Sequence, residues 1–98
     1  MQKKPVLKRP LNLNNINILI IDNFNFIARL MEAMLLEIGM GKVFRAADFE
    51  SAEKILAHAE NNVDLVILDW PMPKNQAHDI MRWIRNHKDA RVKYMPML

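Results

Sequence analysis

The chain has 98 residues, of which 51% are hydrophobic, and a formal net charge of +3. This length and hydrophobic content predict one globular domain and argue against disorder. The absence of cysteine excludes disulfides and thiolate metal sites, and no apolar run in the sequence is long enough to span a bilayer.

Basic residues are concentrated at the start of the chain, because residues 1–10 contain four lysine or arginine side chains and no acidic residue. We interpret residues 1–14 as a flexible basic leader and residues 15–98 as the folded domain. A basic leader can contact nucleic acid or an acidic partner. A solvated segment interrupted by Pro5 and Pro10 explains the same pattern, so binding to nucleic acid is disfavoured.

The first strand and helix are predicted from hydrophobic patterning. Residues 16–21 form a short, nearly continuous apolar run that is typical of a buried parallel strand. Asn23 and Asn25 offer N-cap chemistry to a following helix, and Gly39 and Gly41 are expected to end it. The stripe that predicts this helix has a spacing of about 3.6 residues and consists of Phe26, Ile27, Leu30, Met31, Met34, Leu35 and Ile38.

The rest of the chain alternates between strands and helices. We predict a strand over 42–47, a helix from a cap at Asp48 or Ser51 to about Ala59, a strand over 63–69, and a helix over 75–87. Residues 88–93 are expected to form a polar loop, and residues 94–98 the beginning of a fourth strand. The alternation implies a parallel sheet with right-handed crossovers. The expected inward side chains of the second and third helices are Ala52, Ile55, Leu56, Ala59, Ile80, Met81 and Ile84.

Two predicted strands end on an aspartate, Asp22 and Asp69. Ligands of open α/β sheets bind at the carboxyl edge, so we expect one shared acidic pocket. Two carboxylates repel by roughly 4 kcal/mol at about 4 Å and an effective dielectric constant of about 20, so the pair needs a shared proton or a cation. Such a site suits Mg²⁺ and phosphoryl transfer to an aspartate. Alternatively, the two side chains only cap strand ends or bind helix N-termini.

The segments 18–23, 46–52, 64–69 and 72–73 resemble the receiver domain of bacterial response regulators, the CheY-like family, over residues 16–98. The resemblance implies a flavodoxin-like α/β fold with strand order 2-1-3-4, without the family's last α-β-α elements. It also implies that Asp69 accepts a phosphoryl group from a histidine kinase or phosphotransfer protein. Asp22, Asp69 and the Pro71 carbonyl would then hold Mg²⁺.

Several positions depart from the family pattern. Asn23 replaces a second acid, so its role as a metal ligand is in question and Mg²⁺ binding should be weak. The family's sensing Ser or Thr and contacting Lys lie past Leu98. An uncovered sheet face and edge would favour a homodimer or swapped assembly. The alternative is a pseudo-receiver, a binding or dimerisation module without the chemistry. In either case we expect a cytoplasmic signalling domain that turns over no external substrate.

Overall fold

The structure is a computed structural model that describes residues 13–69 and 76–98. Most of the predicted leader and residues 70–75, which include Trp70 and Pro71, lie outside the described residues. Short 3-10 turns occupy Leu13–Asn15 and Ala59–Asn61. The strands and helices, in chain order, are β1 (Ile18–Ile21), α1 (Asn25–Ile38), β2 (Val43–Ala46), α2 (Phe49–Ala57), β3 (Leu65–Leu68), α3 (Gln76–Arg85) and α4 (Ala90–Lys93).

The strands form a parallel sheet in the order β2-β1-β3. In the pairing register, Ile21 of β1 aligns with Ala46 on one side and Leu68 on the other. Beyond β3, the Leu98 N–H donates to the Val66 carbonyl at 2.9 Å, and Val66 forms an isolated parallel bridge with Met97. The predicted flavodoxin-like fold and the order of its first three strands are confirmed. Of the predicted fourth strand, the described residues contain this single bridge beside β3 and no regular strand.

Strand β1 is buried on both faces, as its continuous apolar run predicts. Leu19 and Ile21 belong to the larger core cluster, which also contains side chains of α2, α3 and α4. Ile18 and Ile20 project to the opposite face and belong to a smaller cluster with Ala28 of α1. The two faces of the sheet are thus covered unequally.

Helix α1 buries little of its apolar surface. Ala28 is its one buried residue, and Met31 and Leu35 are partly buried against the sheet. The rest of the predicted stripe is exposed, namely Phe26, Ile27, Leu30, Met34 and Ile38. The stripe exists as predicted, but in the described residues no second helix on this face of the sheet covers it.

Three details of the prediction are wrong. Neither Asn23 nor Asn25 caps α1, since the N-cap residue is Phe24 and it makes no side-chain capping bond. Helix α2 ends at Ala57, which leaves Ala59 exposed in a 3-10 turn. Part of the predicted polar loop is helix α4, because the Asp89 carboxylate accepts from the Arg91 N–H at 2.9 Å.

The other predicted helical features are confirmed. Asp48 caps α2 by accepting from the Ser51 N–H at 2.9 Å. Gly39 ends α1 with a left-handed backbone at a φ of 105°, which glycine adopts without steric cost. Ile80 and Ile84 of α3 are buried in the larger core. No helix in the part of the chain described by the structure is long and apolar enough to cross a membrane.

Candidate functional site

The carboxyl ends of β1 and β3 bring two aspartates together. Ile21 and Leu68 are register partners, so the residues that follow them, Asp22 and Asp69, leave the sheet side by side. The Asp69 N–H donates to the Ile21 carbonyl at 2.9 Å, and the Asp22 N–H donates to the Ala46 carbonyl at 3.0 Å. The backbone of both aspartates is therefore held by hydrogen bonds to neighbouring strands.

Asp22 is buried, with 5% of its surface exposed. Its Oδ1 atom accepts a hydrogen bond from the Phe24 N–H at 2.8 Å. This bond satisfies one of the free amide groups at the start of α1, which the Asn side chains were expected to do. Asn23 itself is exposed. Asp22 therefore contributes one carboxylate oxygen to a structural bond at the start of α1.

Asp69 is half-buried and lies at the same cleft as Asp22. Burial raises its pKa above the ordinary value of 3.8, the negative charge of Asp22 raises the pKa further, and a side-chain hydrogen bond to Asp22 adds to both effects. The last effect arises because a protonated Asp69 can donate to the Asp22 carboxylate. The pair thus shows the like-charge coupling that a proton or a bound cation relieves.

The cleft beside the two aspartates has a volume of about 330 Å³. Its walls are largely apolar and include Phe24, Ile27 and Met31 from the start of α1. Ile27 and Met31 belong to the apolar stripe predicted for this helix, and the stripe by itself does not place them at the site. The signal that could have identified them is their position in the first turns of the helix that follows Asp22.

The remaining predicted site residues are placed differently. Pro71 lies outside the described residues. Within residues 13–69 and 76–98, no group of three or more acidic, histidine or cysteine side chains could hold a metal ion. The two carboxylates still match what Mg²⁺ uses in proteins, since it is commonly bound through one or two carboxylates with water completing the shell.

Gln76, for which the sequence predicted no role, connects the two helices α2 and α3 near the site. Its Oε1 atom accepts from the Phe49 N–H at 3.2 Å, so the first residue of α3 satisfies an amide at the start of α2. This bond ties the start of α3 to the start of α2.

The raised pKa of Asp69 predicts a pH-dependent effect of Asp69→Asn on stability without metal. The folded protein binds this proton more tightly than the unfolded chain, so stability falls as pH rises from about 3.8 through the raised folded pKa. The amide removes this loss. We expect Asp69→Asn to raise the melting temperature at pH 7 by roughly 2 to 5 °C, since the water in the open cleft reduces the repulsion between the two charges to about 1 kcal/mol. Below pH 3.8 the two proteins should melt alike; equal melting at both pH values would contradict the coupling.

Comparison with known proteins identifies the family. Residues 18–96 match the model of the response regulator receiver domain. The chain is 32% identical over 84 residues to chemotaxis protein CheY-3 of Vibrio cholerae serotype O1, covering 86% of this chain and 62% of that protein. It is 33% identical over 81 residues to chemotaxis protein CheY of Pseudomonas aeruginosa, covering 83% of this chain and 62% of that protein.

A solved structure has the same fold. The chemotaxis response regulator CheY4 of Vibrio cholerae superposes with a TM-score of 0.71 at 23% identity, covering 84% of this chain and 64% of that one. The chain thus spans about 62% of the length of the curated relatives that it matches. The family match, the identity to these relatives and the parallel sheet ending on two aspartates agree: this chain belongs to the receiver domains of response regulators.

Proposed function

We propose that the chain acts as a phosphoacceptor in two-component signalling, with Asp69 as the residue that is phosphorylated. The observation that carries this proposal is the pairing of Asp22 and Asp69 at adjacent strand ends, beside one open cleft. Asp69 is the better acceptor of the two, because its side chain is only half-buried and is therefore more accessible to a phosphoryl donor. Asp22 is almost fully buried and already bonded to the Phe24 amide.

The reaction that fits this arrangement is transfer from a phosphohistidine. A carboxylate oxygen of Asp69 attacks the phosphorus, the P–N bond to the histidine breaks, and a P–O bond forms, giving an acyl phosphate on Asp69. The imidazole is the leaving group. The donor is a histidine kinase or a phosphotransfer protein, and no external substrate is turned over. The raised pKa of Asp69 favours its protonated, less nucleophilic form.

Mg²⁺ suits this site. Asp22 and Asp69 would hold it, together with the Pro71 carbonyl that the family resemblance implies. When bound, the ion neutralises the negative charge that builds up on the transferred phosphoryl group. A bound cation would also offset the repulsion between the two carboxylates and so lower the pKa of Asp69. We expect the affinity to be low, because Asn23 contributes no charge.

Treatment of the 98-residue protein with acetyl phosphate and Mg²⁺ tests the proposal. We expect a mass gain of one phosphoryl group that maps to Asp69 and requires the metal. Beryllofluoride, a mimic of the acyl phosphate, should change the tryptophan emission, since Trp70 follows Asp69 in the sequence. If the protein shows no mass gain and also no response to beryllofluoride, phosphoacceptor function is contradicted.

A second candidate function is a pseudo-receiver, the same fold used for binding without phosphorylation. The observation that favours it is the small number of charged groups at the acidic site. The described residues place two carboxylates there, and the exposed Asn23 stands where the family has another acid, which weakens binding of Mg²⁺. Lack of phosphorylation together with retained folding and a detectable binding partner would support this alternative.

Asn23→Asp should strengthen Mg²⁺ binding, because hard cations respond to the number of charged ligands. We expect the dissociation constant for Mg²⁺ to fall by about tenfold, the equivalent of about 1.4 kcal/mol. Isothermal titration at pH 7 measures it. Asn25→Asp is the matched control, because Asn25 is bonded to Arg45 at 3.1 Å in the first turn of α1. An equal gain in both variants would indicate a nonspecific charge effect.

We further propose a cytoplasmic location, where histidine kinases present their phosphorylated domains. Self-association is part of the same proposal, as a homodimer or a swapped assembly. It is supported by the unequal covering of the sheet, since large exposed apolar side chains favour association. A monomer by sedimentation at high micromolar concentration, together with a cooperative thermal melt, would contradict self-association.

A further inference from the structure

Arg45 joins the edge of the sheet to helix α1. It belongs to β2, the edge strand on the side of the sheet away from β3 and the end of the chain. The Arg45 Nη1 atom donates to the Asn25 side-chain carbonyl at 3.1 Å, and the Arg45 Nε atom forms an ion pair with Glu32 at 3.0 Å. One guanidinium thus contacts α1 at two residues, and we call these three side chains the Arg45 cluster.

The two contacts lie on one face of the helix. Asn25 and Glu32 are seven residues apart, which is close to two full turns and about 10 Å along the helix axis. Both contacts are made by one planar group, whose N–H donors point in fixed directions. A lysine ammonium is a single atom and would have to reach both acceptors from one point. The arrangement therefore depends on arginine and not only on a positive charge.

The first turn of α1 has few other attachments. Its N-cap residue, Phe24, makes no side-chain capping bond, and no acidic residue in this turn interacts with the positive end of the helix dipole. Ala28 is the single buried residue of α1. Asn25, which Arg45 contacts, directly follows Phe24 in the chain. The Arg45 cluster therefore restrains the helix at the end that lies nearest to the acidic site.

The same end of α1 is bonded to Asp22. The Phe24 N–H donates to the Asp22 Oδ1 atom at 2.8 Å, so a movement of the first turn would shift or release this carboxylate. Asp22 and Arg45 also line one groove of about 430 Å³ between α1 and β2. The cleft that Asp22 shares with Asp69 lies toward β3. The contacts of Arg45 are therefore one helical turn away from a side chain of the acidic site.

We propose that Arg45 is a positioning residue for Asp22, because it fixes the first turn of α1 and this turn holds the Asp22 carboxylate beside Asp69. Its effect on metal binding rests on the function proposed above, in which the two carboxylates hold Mg²⁺. Arg45 acts on that ion in two ways of opposite sign. Its positive charge repels a cation, whereas its contacts with α1 keep a ligand in place. The contacts dominate, so loss of Arg45 weakens binding of Mg²⁺.

Two substitutions of Arg45 separate position from charge. Arg45→Lys keeps the positive charge and loses the planar group, and Arg45→Gln loses both. We expect each to raise the dissociation constant for Mg²⁺ about threefold in isothermal titration at pH 7, since partly exposed contacts contribute modestly. A pure charge effect would leave Arg45→Lys unchanged and make Arg45→Gln bind more tightly. Arg82→Lys and Lys54→Gln are matched controls at exposed ion pairs on α3 and α2 and should leave the dissociation constant unchanged.

Amide hydrogen exchange, measured by NMR without metal, tests the positioning role independently of Mg²⁺. The Phe24 amide should exchange about threefold faster in Arg45→Lys than in the original protein, because opening of the first turn breaks its bond to Asp22. The Gly39 amide at the other end of α1 should be unchanged. Equal exchange of Phe24 in both proteins would overturn the proposal, as would equal acceleration at Gly39 or equal Mg²⁺ binding by Arg45→Lys. If the original protein binds no Mg²⁺ and only the Phe24 amide accelerates, the proposed metal site is wrong and the positioning role of Arg45 is supported.

Discussion

Asp69→Asn should abolish the mass gain from acetyl phosphate completely. The amide has no carboxylate oxygen to attack phosphorus, so no acyl phosphate can form. Intact-mass spectrometry after incubation with Mg²⁺ measures this directly. The loss should be all-or-none, while the fold is retained, because Asp69 contributes its backbone N–H and not its carboxylate to the bond with Ile21.

A matched variant controls for the number of acids. Asp64→Asn removes an exposed carboxylate from the opposite edge of the sheet, where Asp64 accepts from the Asn17 N–H at 2.9 Å. The amide oxygen can keep this bond, so phosphorylation should be unaffected. Asp22→Asn is expected to slow phosphorylation without abolishing it, because the acceptor remains and only the proposed metal ligand is lost. If the mass gain persists in Asp69→Asn, a residue other than Asp69 is phosphorylated and the proposed assignment is wrong.

The second large effect is expected at the other edge of the sheet, for Asn17→Ala. The Asn17 Oδ1 atom accepts from the Lys42 N–H at 2.8 Å, and its Nδ2 atom donates to the Asn62 carbonyl at 3.1 Å. One side chain thus joins the segments that lead into β1, β2 and β3. We expect its removal to lower the free energy of unfolding by about 2 kcal/mol, at about 1 kcal/mol for each hydrogen bond.

Chemical denaturation measures this loss, and Asn86→Ala is the matched control. Asn86 is exposed, and its side chain makes one hydrogen bond, to the Arg82 carbonyl at 2.9 Å. Removal of this side chain should lower the free energy of unfolding by about 0.5 kcal/mol or less. The corner around Asn17 is also close-packed, since a Cβ atom at Gly41 would lie 2.6 Å from the Asn17 Oδ1 atom. If Asn17→Ala costs no more than Asn86→Ala, water replaces these bonds and the proposed role is wrong.

Some of the site could be predicted because it depends on strand ends. An apolar run that stops at a carboxylate marks both the buried strand and the residue that leaves the sheet, so Asp22 and Asp69 were identifiable without coordinates. Their side-by-side position follows from parallel pairing in register. The bond from the Phe24 amide to Asp22 could not be predicted in this way, since Asn23 and Asn25 are equally good capping residues by type.

Other features required residues far apart in the sequence. The side-chain bonds of Asn17 reach Lys42 and Asn62, 25 and 45 residues away, and Gln76 reaches Phe49 across 27 residues. Helix α4 was missed because its four residues are too few to show a hydrophobic period. Its stability depends on the Asp89 cap and on burial of Val92 in the larger core.

Local patterning was therefore enough for the type and order of the elements, the parallel sheet and the two aspartates at its edge, because each follows from periodicity within one segment. Which apolar surfaces are covered depended on the tertiary structure. The stripe from Phe26 to Ile38 has the same pattern as a buried helix face, since periodicity reports which side of a helix is apolar and not what lies against it. Only the packing revealed that no element among residues 13–69 and 76–98 covers this side of α1.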